Sequence, residues 1–230
     1  MSLALACSGV TATLARARRG VARRGVGGLV RLLVSGGMRL AFLRESHVWL
    51  LLDLSSERMR VELPVGMTLV RAGEEDLRLL EDLPTVSARV ARRRLAAGVD
   101  LWIVREGDRG VFACWTFLER TPALAAPGGW LTLPESAAGL EDSVTSPSCR
   151  GRSVGPGAWS AVADALAKEG VAVIVTKVEE SNVACRRALA KTGFRHVASM
   201  RLLRIAGIPR VDVRLLEAGR AAFLAEGLAR

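Results

Sequence analysis

The feature that most constrains this chain is residues 146–157, Ser-Pro-Ser-Cys-Arg-Gly-Arg-Ser-Val-Gly-Pro-Gly. An alternating run, residues 140–145, leads into it, and an apolar pattern at helical spacing, residues 158–167, leads out. The stretch therefore reads as strand, glycine-rich turn and helix N-terminus. That geometry aims several backbone N–H groups at one spot, where the helix macrodipole adds positive potential. Arg150 and Arg152 add formal charge. The natural ligand of such a place is a phosphate or pyrophosphate.

The loop is not a Walker A, because no Lys-Ser/Thr pair follows its glycines. It is not the dinucleotide fingerprint either, since the G-x-G-x-x-G spacing is absent. It fits Arg-x-x-Gly/Ala-x-Gly/Ala with Ser153 at the first small-residue position, and Pro147 stands three residues before Arg150. A second pattern follows. Residues 171–175 are almost wholly β-branched, as in a strand buried on both faces. Residues 181–192 then read as a helix, with Ser181 or Asn182 as N-cap and Gly193 at its C-terminal end.

Together these patterns resemble the GNAT family of N-acetyltransferases. In that family an Arg-x-x-Gly-x-Gly loop holds the pyrophosphate of acetyl-CoA, an Asn opens the next helix and a Gly-Phe pair closes it. Asn182, Gly193 and Phe194 fall in those registers. The resemblance is specific over residues 140–205 and vague over 67–133. It implies an α/β fold, a mixed central sheet flanked by helices, with a basic N-terminal extension. It implies acetyl-CoA as co-substrate and no metal. The cofactor's acetyl and pantetheine ends map to the backbone of a bulged strand at Ser143, Val144 and Thr145. The pyrophosphate maps to Gly151, Arg152, Ser153, Val154, Gly155 and Pro156, with Arg150 at the mouth. Asn182 maps beside the cofactor arm. Two parallel strands, residues 140–145 and 171–177, would splay to admit it.

Acetyl transfer to an amine needs a group that takes the amine's proton and donors for the thioester oxygen. Glu141 and Asp142 precede the expected bulge and are the candidate bases. Adjacent strand residues face opposite sides, so at most one readily faces a substrate; the alternative for each is a solvent-facing or ion-paired carboxylate. The chain departs from the family in two respects, of which Ser153 in place of a glycine is the milder. Many members carry a Tyr seven residues after the capping Asn, as acid toward the thiolate. That position is Leu189, and the chain has no tyrosine. Cys185, Ser199 or a water could donate, the thiolate could leave unassisted, or the protein could bind acyl-CoA without catalysis. Two readings therefore stand: an N-acetyltransferase working by direct transfer in a ternary complex, and a non-catalytic acyl-CoA-binding or regulatory module. Ser153 is accommodated if its φ is negative.

The formal charge of +10 resembles a nucleic-acid signal until it is located. Residues 1–44 hold eight arginines and no acid; setting those eight aside leaves +2 for the rest. A nucleic-acid role is therefore not expected of the body, and the arm reads as an extension, with a transit-like leader, an anionic-lipid contact or a nucleic-acid contact as alternatives. Residues 29–43 have helical spacing. No secretory signal is expected, since the arginines follow the apolar stretch. No apolar run reaches the ~18 residues of a membrane span. Cys7, Cys114, Cys149 and Cys185 are far apart, without zinc or haem spacing, and read as free thiols in a reducing cytoplasm.

The expected organisation is a basic extension at 1–46, an additional strand or hairpin at 47–63, the acetyltransferase domain at 64–206 and a C-terminal helix at 207–230. Within it, residues 59–63 are expected to pair with the strand at 48–54. Residues 121–134 form a long Pro/Gly/Ala loop, either shaping an acceptor pocket or passive. The acceptor is a small-molecule or peptide amine, and a homodimer is possible.

Overall fold

The computed structural model describes residues 42–84, 87–205, 208–217 and 219–228. The chain divides into two units, residues 45–201 with 211–230, and residues 1–44 with 202–210. The expected cofactor loop lies wholly in the first. The extension up to residue 41, including the helical expectation over 29–41 and Cys7, lies outside the described residues.

In chain order the strands are β1 (Phe42–Asp53), β2 (Met67–Ala72), β3 (Asp100–Glu106), β4 (Arg109–Phe117), β5 (Arg120–Pro122), β6 (Trp130–Thr132), β7 (Ala137–Thr145), β8 (Val173–Glu179), β9 (Arg195–Ile205) and β10 (Ile208–Leu215). The helices are α1 (Ala88–Leu95), α2 (Val154–Lys168), α3 (Val183–Ala190) and α4 (Ala222–Leu228), with a 3-10 helix at Glu74–Leu80. Eight strands form one mixed sheet in the order β10-β9-β1-β8-β7-β4-β3-β2. The expectation of a mixed sheet flanked by helices is met.

Residues 48–52, Val-Trp-Leu-Leu-Leu, are buried on both faces because β1 is an interior strand. It runs antiparallel to β8, with Trp49 opposite Lys177 and Leu51 opposite Val175. Period two then sorts the side chains. Val48, Leu50, Leu52, Trp102, Val104, Cys114, Leu140, Ile174 and Val178 pack in one core with Val162, Ala163 and Leu166 of α2 and Leu189 of α3. Leu101, Ile103, Ala113, Trp115 and Phe117 pack on the other face, with Leu77 and Leu80 of the 3-10 helix and Ala91 of α1.

Three sequence expectations need correction. The C-terminal helix expected over 207–230 is replaced by β10 and, later, the short α4. Val211, Val213 and Leu215 alternate with Arg210, Asp212 and Arg214, and this period of two prevails over helical spacing. Residues 59–63 form no strand with β1. They run along α2 instead: Val61 N–H donates to Ser160 Oγ at 3.0 Å, and Arg58 and Arg60 both pair with Asp164. Gly157 permits this approach, because a Cβ there would lie 2.8 Å from the Glu62 carbonyl oxygen. Finally, the loop over 121–134 carries part of a small ladder, Arg120–Pro122 with Trp130–Thr132, and buries Ala123, Ala125, Ala126, Leu131 and Leu133. It is a packed flap carrying two short strands.

Candidate active site

The turn between β7 and α2 is built for backbone donors. A 3-10 turn, Pro147–Cys149, follows the strand, and buried Cys149 anchors it in the core. Gly151 then takes φ +79°, which reverses the chain at little cost for glycine. Helix α2 begins with Gly157 N–H donating to Ser153 C=O at 3.0 Å. Pro156 has no N–H, which is harmless in a first turn whose donors lack helical partners. Ser153 gives no side-chain cap. Among the described residues, the N–H groups of Gly151, Ser153, Val154 and Gly155 have no hydrogen-bond partner. They head a 15-residue helix whose dipole is positive at this end. One expectation fails here. Ser153 has φ +61°, the left-handed region rather than a negative φ. The loop needs the conformation that glycine normally supplies, and serine bears the strain.

Beside the loop, β7 is bulged. Trp115 pairs with Glu141 and Ala113 with Val144, so Cys114 alone faces both Asp142 and Ser143. Asp142 takes φ +50°. The extra residue shifts the alternation by one. Glu141 and Val144 consequently share a face although they are three apart, and Val144 packs with Ala113 and Trp115. Ser143 turns to the other face, where its Oγ accepts a hydrogen bond from Trp159 Nε1 at 3.0 Å.

The bulged strand also parts from its neighbour. β7 and β8 pair in parallel only through Ala137–Val173, Ala138–Ile174 and Gly139–Val175. Beyond Gly139 the ladder stops, while β8 remains paired with β1 as far as Glu179. Two residues past the last pair, Glu141 and Lys177 reach across the gap, Nζ to Oε2 at 2.6 Å. The flap closes over them: Thr121 Oγ1 donates to Glu141 Oε1 at 3.1 Å, and Lys177 Nζ donates to the Pro122 carbonyl at 2.5 Å. Trp49 presents its ring 5.6 Å from Nζ. Burial pushes the Glu141 carboxyl above its ordinary range, against the pull of Lys177. His47, two residues before Trp49 on β1, is held below its ordinary pKa chiefly by burial.

The expected site residues thus separate. Ser143, Val144 and Thr145 lie at the bulge and parting strands, and residues 150–156 form the donor loop. Of the two candidate bases, Glu141 is buried at the gap, whereas Asp142 is exposed and paired with Arg94 at 2.6 Å. Arg152 turns aside to Glu106 at 2.8 Å, while Arg150 is exposed with no ion-pair partner among the described residues. Asn182 caps α3, its Oδ1 accepting from Cys185 N–H at 3.1 Å. Leu189 is fully buried in the core. His196 is occupied by Ala198 C=O and Ser199 Oγ, each at 3.0 Å. Sequence reasoning did not single out Lys177, Trp49 or Thr121. Lys177 did leave a signal, a lysine inside an apolar strand of a chain with only three lysines.

A separate cleft of about 560 Å3 is lined by Leu54, Arg58, Arg60, Asp164 and Lys168 among others, and none of the expected cofactor residues reaches it. Among the described residues there is no cluster of three metal-ligating side chains, and no helix is long and apolar enough to cross a membrane.

Comparison with known proteins agrees with this fold. A structure from Drosophila superposes with TM-score 0.52 at 13% identity, covering 80% of this chain and 59% of that one. A GCN5-related N-acetyltransferase from Sphaerobacter thermophilus gives 0.51 at 13%, covering 86% and 59%. A putative GNAT acetyltransferase from Novosphingobium aromaticivorans gives 0.50 at 16%, covering 70% and 65%. At these identities the likeness is one of fold, and this chain spans only part of each structure's length. No curated protein sequence matches significantly. The model of the acetyltransferase (GNAT) family matches residues 70–194, more than half of the sequence, including the donor loop, the bulged strand and the Glu141–Lys177 pair. The chain is a member of the GNAT acetyltransferase family.

Proposed function

We propose that this protein transfers an acetyl group from acetyl-CoA to an amine by direct attack within a ternary complex. The observation that carries the reading is the set of unpartnered N–H groups at Gly151, Ser153, Val154 and Gly155, next to the gap where β7 leaves β8. The amides and the dipole of α2 suit a pyrophosphate. The exposed edge of β7 over Ser143, Val144 and Thr145 suits the amide groups of a pantetheine arm, which leads to the gap. Asn182 lies at the head of α3, beyond the far end of β8.

At the gap, Glu141 is the group suited to take the amine's proton. Burial makes it a stronger base than a surface carboxylate. Asp142, engaged with Arg94 at the surface, has no part. The acceptor is a small-molecule or peptide amine that displaces part of the flap to reach Glu141. Among the described residues no cysteine stands as an acyl carrier: Cys114 and Cys149 are buried, and burial pushes the Cys114 and Cys185 thiols up. The reading places the protein in the cytoplasm, where thiols stay reduced.

Titration calorimetry with acetyl-CoA, followed by thiol release over a panel of amines, tests this. Binding that Gly155→Glu abolishes, together with turnover on at least one amine, is the expected result. Unchanged affinity in Gly155→Glu would overturn the loop assignment. One observation favours a second reading, a non-catalytic acyl-CoA-binding module: Leu189 puts a buried alkyl group where many relatives carry an acid. Tight binding with no turnover across the panel would select it.

A further inference from the structure

Among the described residues, Lys177 is the one amine already seated at the gap between β7 and β8. We infer that it is itself an acetyl acceptor, so that the protein acetylates its own Lys177 from acetyl-CoA. The inference rests on the proposed binding of acetyl-CoA at the α2 loop but not on any external acceptor. Gly139 and Val175 form the last parallel pair, and Glu141 and Lys177 follow two residues later on each strand. A thioester led along the bulge to that gap meets an amine whose ammonium touches a carboxylate at 2.6 Å.

The surroundings set Lys177 apart from the other two lysines, Lys168 and Lys191, which are both exposed. Lys177 is 17% exposed and Glu141 8%. Nζ stands 2.6 Å from a carboxylate that can take its proton. The neutral amine is the nucleophile. Thr121 Oγ1 holds Glu141 from its other oxygen, and Pro122 C=O and the Trp49 ring fix Nζ. The carboxylate and amine are therefore positioned before any ligand arrives.

In the step, Lys177 gives a proton to Glu141. Nζ then bonds to the acetyl carbon as the carbon–sulfur bond breaks. Of the two protons Nζ loses, one passes through Glu141 to the departing thiolate and the other goes to water. One amide replaces one thioester, with no oxidant or reductant.

The test is incubation of the full chain with acetyl-CoA, then peptide mass mapping of the three lysines over time, with calorimetry in parallel. Acetylation of Lys177 at least about tenfold faster than of Lys168 or Lys191 is expected. Glu141→Gln should slow it about a hundredfold, the usual reach of a positioned base. Lys177→Arg should show none at that position. Acetyl-CoA binding with Lys177 unmodified, or with the three lysines modified equally, overturns the inference and leaves the cofactor reading intact. Absence of binding overturns that reading and the inference with it. A Glu141→Gln protein that still acetylates Lys177 at the wild-type rate overturns the role given to Glu141.

Discussion

Trp159 of α2 donates its indole N–H to Ser143 Oγ, 3.0 Å away on the bulged strand. The bond ties the first turns of the helix to the backbone that the cofactor arm would follow. Ser143→Ala removes the acceptor and leaves the indole N–H to water or to nothing. The expected cost is about 1 kcal/mol in denaturant unfolding. Acetyl-CoA affinity should fall as well, because the bulge loses its tether; calorimetry beside the unfolding curve checks both.

Ser153 sits at φ +61°, where glycine belongs. Ser153→Gly relieves a conformation that costs a non-glycine residue about 1–2 kcal/mol. Part of that gain is lost to the freer unfolded chain. The net expectation is a rise of about 2–4 °C in Tm. Ser153→Val should move Tm in the opposite direction, since a β-branched side chain tolerates the left-handed region poorly. Differential scanning calorimetry of the two variants decides the matter.

Gly157 lies under residues 62 and 63, and an added Cβ would stand 2.8 Å from Glu62 O and 2.9 Å from Leu63 Cα. Both are backbone atoms and cannot rotate away. Gly157→Ala should therefore destabilise by about 1–3 kcal/mol, although alanine is the better helix former. Hydrogen exchange should quicken at the Val61 amide, whose partner Ser160 is on the same helix.

Lys177→Met leaves Glu141 buried without its cation. Removing one partner of a buried pair costs about 3–5 kcal/mol near neutral pH. The pH dependence follows from sign. Burial already raises the Glu141 carboxyl above its unfolded value, and loss of Lys177 raises it further. Between the unfolded and folded pKa values the native state holds more protons, so stability falls as pH rises through that window. The variant should regain stability as pH is lowered from neutrality, more than wild type does. Adding Glu141→Gln should abolish that gain. Unfolding curves at several pH values measure all three proteins.

The donor loop and the helix after it were legible in residues 146–167 alone, because local chemistry decides them. A turn needs its glycines, a helix start leaves amides unpaired, and apolar spacing marks the buried side. The cap at Asn182 was legible for the same reason. Residues 208–215 were misread because alternation and helical spacing overlap in a short segment, and pairing within a sheet settles the choice. Ser153 was misjudged because backbone sign follows from the path between two anchored elements, not from residue type. The partnership of Glu141 with Lys177 lay beyond reach of the sequence. It depends on a bulge that shifts side-chain parity, on β8 lying beside β7, and on a flap delivering Thr121 and Pro122 to the same point. Residue order dictates local geometry through short-range sterics and hydrogen bonding. Only the assembled sheet, by choosing neighbours for each strand, determines which distant charges meet.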